Sequence, residues 1–119
     1  MYRQNRPLTI LTIDDEEQIQ YALRALFNSQ GWEAISARDV EEGVGKFRTC
    51  RPDLVLMDEP YGQMDIKLRF YLEDEVVRLW KETGSTVLFI THNIEEAVYL
   101  AERILILTNK PTTIKEDFK

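Results

Sequence analysis

Short apolar runs alternate with amphipathic stretches along the chain. Leu8–Ile13 reads as a buried strand. Ile19, Ala22, Leu23, Leu26 and Phe27 then recur at helical spacing. They predict a helix that starts at Asp15, with Gln18 three residues on as in a capping box, and stops at Gly31. Trp32–Ser36 is a short second strand. Asp39 with Glu42 caps a second helix whose inner face is Val40, Val44 and Phe47. Gly43 and Gly45 are expected to weaken it, each by up to ~1 kcal/mol. Beyond Pro52, Leu54–Met57 is a third strand. Leu68, Leu72, Val76, Leu79 and Trp80 mark a long third helix that ends at Gly84. Thr86–Thr91 is a fourth strand, and Asn93 with Glu96 caps a fourth helix carrying Ile94, Ala97, Val98 and Ala101. Ile104–Leu107 is a fifth strand, followed by Pro111 and a mostly polar tail.

Strands that are apolar on both faces and alternate with helices predict a parallel sheet covered on both sides. Right-handed crossovers then give a doubly wound α/β fold, and short connections favour the strand order 2-1-3-4-5. The expectation is a flavodoxin-like, five-stranded parallel sheet whose last helix is short or missing. The tail "PTTIKEDFK" offers only Ile114 and Phe118 as one apolar turn. The sheet face that a last helix would cover is therefore expected to be bare, and a homodimer through that face is expected.

Composition narrows the function. A length of 119 residues predicts a single domain with a real core. The net charge of −6 argues against a nucleic-acid partner and against an anionic membrane surface. Apolar runs are too short for a membrane span and the first residues are polar, so a cytoplasmic protein is expected. Cys50 is the one cysteine; it excludes a disulfide framework and a Cys metal site, and reads as a partly buried thiol.

Doubly wound sheets place their sites beyond the carboxyl ends of the strands. Strand one ends in Asp14 and Asp15, strand three in Asp58 and Glu59, strand four in Thr91 and His92, and Asn109 and Lys110 follow strand five. Carboxylates with a hydroxyl and an ammonium suit Mg²⁺ and a phosphoryl group, because Mg²⁺ takes hard oxygen ligands and lysine offers a point charge.

Two resemblances share the chain. "LTILTIDDEEQIQYALRALFNSQGWEAISARDVEEGVGKFRTCRPDLVLMD" resembles the first half of a bacterial response-regulator receiver domain. That resemblance implies Mg²⁺ held by Asp14 and Asp15, and phosphorylation of Asp58. "LVLMDEPYGQMD" and "TVLFITHNIEEAVYLAERILILTNKP" resemble the Walker B strand, D-loop and switch-histidine segment of ABC transporter ATP-binding subunits. This second resemblance implies that Asp58 positions Mg²⁺, Glu59 polarises water, Asp65 is the D-loop aspartate and His92 senses the γ-phosphate. The two overlap at "LVLMD", so the chain divides into a receiver-like half, 1–57, and a transporter-ATPase-like half, 58–119. The simplest account is an engineered chimera without designed activity, cut at strand three; the rival account is a divergent natural receiver.

ATP binding is not expected. A phosphate cradle needs G-x-x-x-x-G-K-[ST], whereas Gly45-Lys46 has Val40 and Phe47 at the flanking positions and lies in a predicted helix. Glu59 and His92 are then vestigial, and no catalytic residue is expected. Receiver chemistry is the alternative: Asp58 as phospho-acceptor, Thr91 and Lys110 as phosphoryl contacts, and a weak Mg²⁺ site at Asp14, Asp15 and Asp58.

Overall fold

The computed structural model describes residues 7–61, 64–107 and 114–118. In order, these form β1 (Thr9–Ile13), α1 (Glu17–Ser29), β2 (Glu33–Ala37), α2 (Val40–Cys50), β3 (Leu54–Asp58), α3 (Ile66–Thr83), β4 (Thr86–Ile90), α4 (Ile94–Leu100), β5 (Ile104–Leu107) and β6 (Ile114–Phe118). The first four strands pair in parallel in the order β2-β1-β3-β4, the expected order as far as it goes. Register pairs Leu11 with Val55 and Val55 with Val87, and pairs Thr12 with Leu56 and Leu56 with Leu88. Side chains alternate across a sheet. One face therefore carries Leu11, Ile13, Val55, Met57, Val87 and Phe89, and the other carries Ile10, Thr12, Leu56, Asp58, Leu88 and Ile90.

The first face is the core. Val40, Val44 and Phe47 of α2 and Leu72, Val76 and Leu79 of α3 pack with Leu11, Ile13, Val55 and Met57, all buried. The cap of α2 forms as its sequence predicts: Asp39 Oδ1 accepts from the Glu42 N–H at 2.8 Å, and Glu42 Oε1 accepts from the Arg38 N–H at 2.9 Å. Gly84 closes α3 in the left-handed region, φ 71°. Gly43 is a close approach rather than a weak point. A Cβ there would stand 2.3 Å from Ile13 Cδ1, so only glycine lets α2 lie this near β1.

The second face is half covered. α1 packs over β1 and β2 with Leu23 and Phe27 half-buried, and Gln20 is its one buried residue. Ile19, Leu26, Leu88 and Ile90 remain 41%, 54%, 51% and 46% exposed. Ile19 and Ile90 line a cleft between α1 and β4 together with the half-buried Leu23 and Leu56. The bare face expected from the sequence is present among the described residues.

Several expectations are corrected. β5 is not a fifth strand of the parallel sheet. It pairs antiparallel with β6 in a separate two-stranded ribbon, so residues 114–118 are strand rather than a helical turn. β6 follows β5 closely along the chain. The local partner wins because its loop is short. Arg103 fastens the ribbon, donating to Asp117 from Nε at 2.9 Å and from Nη2 at 2.6 Å. α1 begins at Glu17, not Asp15, and Gln18 forms no capping box; Glu16 is the cap residue and makes no side-chain cap bond. The Ile94 and Val98 face of α4 points to solvent, and Cys50 is exposed.

Candidate functional site

The acidic residues gather at the carboxyl edge of the second face. Asp14 is buried; its N–H donates to Ala37 O at 3.1 Å and its Oδ1 accepts from the Glu16 N–H at 2.9 Å. Gln20 fixes this end of β1. Its Nε2 donates toward the carbonyls of Thr12 and Asp14 at 3.1 Å and of Ala37 at 2.8 Å, and its Oε1 accepts from the Thr12 hydroxyl. One buried amide thus ties α1 to the ends of β1 and β2. In the sequence Gln20 is marked only by its place on the inner line Gln20, Leu23, Phe27 of α1.

Asp14, Asp15 and Glu16 present carboxylate oxygens within 4.8 Å of one another. Opposite corners of an octahedral Mg²⁺ shell are about 4.2 Å apart. Neighbouring corners are about 3 Å apart and at most one pair of three ligands can be opposite, so the three would have to draw together or bind in part through water; an all-oxygen donor set suits this hard cation. Glu16 was not foreseen as a ligand. Asp58 lies outside that group of three, exposed at the tip of β3 and facing a cleft of about 170 Å³ lined by Asp14, Ile19, Leu23, Leu56 and Ile90. Its carboxyl is pushed above the ordinary aspartate value, first by burial against the cleft, then by the charges of Asp14, Glu59 and Asp15; His92 opposes them.

The remaining candidates part company. Glu59 and His92 meet: the Glu59 carboxylate bonds His92 Nδ1, and the Glu59 N–H donates to Ile90 O at 2.8 Å. Glu59 adopts the left-handed region, φ 48°, which turns the chain away from β3. Thr91 is engaged at the start of α4. Its hydroxyl donates to Glu96 Oε1 at 2.9 Å and accepts from the Asn93 N–H at 3.0 Å, so it serves the start of α4. Asp65 caps α3, accepting from the Leu68 N–H at 3.3 Å. Lys110 lies outside the described residues. Lys46 sits within α2, bonded to Ser36 O at 2.6 Å and paired with Glu42 at 3.2 Å, so Gly45-Lys46 is no phosphate loop.

No protein-family model matches the chain. The fold is similar to that of the chemotaxis response regulator CheY4 of Vibrio cholerae (TM-score 0.60, 21% identity, 80% of this chain and 81% of that one). It is also similar to the receiver domain of a response regulator from Methanoculleus marisnigri (TM-score 0.59, 27% identity, 77% of this chain and 75% of that one). In sequence, 68 residues are 44% identical to an uncharacterized ABC transporter ATP-binding protein of Methanocaldococcus jannaschii, covering 57% of this chain and 26% of that protein. The taurine import ATP-binding protein of Shigella boydii is 35% identical over 85 residues, 71% of this chain and 33% of that protein. The chain thus spans about a quarter to a third of the length of these relatives. Any 68 consecutive residues of a 119-residue chain take in positions 52–68, so this likeness includes β3 and Asp58.

The class is therefore plain. The chain has a flavodoxin-like, receiver-type fold, and it carries a segment similar to ABC transporter ATP-binding proteins. Among the described residues no helix is long and apolar enough to cross a membrane.

Proposed function

We propose that this chain is an engineered fusion of a receiver-like front and a transporter-ATPase-like back, a scaffold with no catalytic activity that retains a weak divalent-cation site. The observation that carries the reading is the acidic edge. The carboxylates of Asp14, Asp15 and Glu16 lie close enough together to attract a cation, while the Thr91 hydroxyl bonds Glu96 and the Asn93 N–H. Asp14, Asp15 and Glu16 would hold Mg²⁺, with Asp58 completing the set from across the cleft. The ion would neutralise the charge at the edge. Nucleotide hydrolysis is not expected, since Lys46 is spent inside α2.

A second reading is a phospho-acceptor, favoured by the position of Asp58 on the same sheet face as Asp14. A carboxylate oxygen of Asp58 would attack the phosphorus of a small acyl phosphate. The bond from phosphorus to the donor's oxygen would break, and the donor would leave as its carboxylate. Glu59 opposes this step because it sets another carboxylate beside the incoming dianion. Incubation with acetyl phosphate and Mg²⁺, followed by intact mass, separates the two readings. An unchanged mass, with Mg²⁺ shifting the amides of residues 14–16, supports the scaffold. A single phosphoryl addition that disappears in Asp58→Asn establishes the acceptor, and unmoved amides at every Mg²⁺ concentration remove the cation site.

A further inference from the structure

The cleft between α1 and the sheet has a lining that a metal ion alone does not use. Its volume is about 170 Å³, and Ile19 and Leu23 of α1, Leu56 of β3 and Ile90 of β4 give it apolar walls. Asp14 and Asp58 line it as well, and no basic side chain does among the described residues. The Asp58 carboxylate forms no hydrogen bond or ion pair among the described residues. Burial, and then the charges of Asp14, Glu59 and Asp15, burden its negative charge, with His92 opposing them.

Each class of ligand meets this surface differently. An anion is repelled by the two carboxylates. A metal ion gains nothing from aliphatic walls, which offer it no oxygen. A neutral hydrocarbon would fill the cleft but strip water from a carboxylate without replacing it. A cation with a hydrocarbon body suits both parts, because it buries apolar area while its charge meets the carboxylates. Volume sets the size of that body: an enclosed apolar cavity of ~150 Å³ accepts benzene.

Depth favours a free amine over a lysine from another chain. Asp58 is exposed at the rim, whereas Leu23 and Leu56 are half-buried. The hydrocarbon would therefore enter first, leaving the ammonium at the carboxyl edge. A lysine side chain enters charge first with its stem trailing, which would press the ammonium onto aliphatic walls.

We propose that the cleft binds a small primary aralkyl ammonium of benzylammonium size, its ring between Ile19, Leu23, Leu56 and Ile90 and its ammonium donating to Asp58 beside Asp14. The site goes beyond the divalent-cation reading, since it needs no Mg²⁺. The two share Asp14 and Asp58, so each ligand should weaken the other.

Titration with benzylammonium chloride at pH 7, without Mg²⁺ and at fixed ionic strength, reads the site through the methyl resonances of the isoleucines and leucines. Ile19, Leu23, Leu56 and Ile90 should shift together and saturate, with a Kd on the order of 1 mM. Benzyl alcohol, which keeps the ring and lacks the charge, should bind up to about fivefold more weakly. Asp58→Asn should remove that difference, weakening benzylammonium and leaving benzyl alcohol unchanged. Should the variant fold poorly, the two ligands compared on the parent chain carry the same test. Methyl shifts that do not saturate, or equal affinity for the two ligands on the parent chain, overturn the proposal. Mg²⁺ that moves the amides of residues 14–16 in a chain whose methyls ignore benzylammonium would also overturn it, while leaving the cation site in place.

Discussion

Gly43 of α2 lies against Ile13 of β1 so closely that a Cβ on the glycine would stand 2.3 Å from Cδ1 and 2.8 Å from Cγ1 of the isoleucine. Ile13 is buried and β-branched, so it has little room to move. Gly43→Ala gains up to ~1 kcal/mol of helix propensity and loses roughly 1–3 kcal/mol to overpacking. Gly45, two residues on, has open space around it. The expected outcome in urea unfolding is a lower midpoint for Gly43→Ala and a higher one for Gly45→Ala. A higher midpoint for both would mean that the helix can slide off β1 at no cost.

Gln20 predicts a larger loss. Replacing it by leucine removes the donor shared by the carbonyls of Thr12, Asp14 and Ala37 and leaves the Thr12 hydroxyl without its acceptor. Buried groups left unbonded cost about 1–3 kcal/mol each. Gln20→Leu should lower unfolding free energy by roughly 2–3 kcal/mol with an unchanged denaturant slope. A loss under half that would show that water replaces the amide.

The raised proton affinity of Asp58 has a sign that can be checked. A group whose folded value lies above its unfolded one contributes stability in acid and loses it as pH rises through the folded value. Asp58→Asn should therefore raise the melting temperature near pH 7, by an amount worth roughly 0.5 kcal/mol for a solvent-screened site. The gain should vanish below pH ~3, where aspartates are already protonated. A gain that does not depend on pH would assign the effect to packing in the cleft instead.

Mg²⁺ should stabilise the fold by roughly 1.4 kcal/mol at ten times its Kd. The effect should survive a change of monovalent salt at fixed ionic strength and shrink in Asp15→Asn. A melting temperature indifferent to Mg²⁺ would leave the acidic edge as solvated surface.

The bare face beside α1 and β4 predicts self-association. Ile19 and Leu26 of α1 and Leu88 and Ile90 of β4 are exposed apolar side chains on the same side of the sheet, and a second copy related by a two-fold axis could bury two such faces at once. Light scattering should show mass rising with concentration, and Leu88→Ser should return the chain to a monomer. A monomeric mass over a hundredfold range would sink the dimer.

Much of this was legible from local chemistry. The core face of α2, its Asp39 cap, the stop of α3 at Gly84 and the order of the first four strands follow from period, caps and short connections. The position of β5 was not legible. Ile104–Leu107 reads as a strand covered on both faces, yet the choice between β4 and a nearby β6 turns on tertiary contacts such as Arg103 meeting Asp117. Gln20 was hidden for another reason. A polar residue in a helix reads as solvent-facing, and only its place on the inner line marks it as buried. In the site, the pairing of Glu59 with His92 could be foreseen from the ends of adjacent strands. The diversion of Thr91 to Glu96 could not, because the threonine cap competes with any ligand only once α4 is in place.

With β5 folded away into its own ribbon, β4 is one of the two edge strands of the main sheet among the described residues. It is the run Thr-Val-Leu-Phe-Ile, with no charge, proline or bulge along it. Outer strands that lack such gatekeepers recruit further strands through their free N–H and C=O groups. Storage at high concentration should then be limited by fibril growth from this edge, seeded by folded molecules and accelerated by neither heat nor denaturant. A single lysine in place of Leu88 would be expected to block that growth.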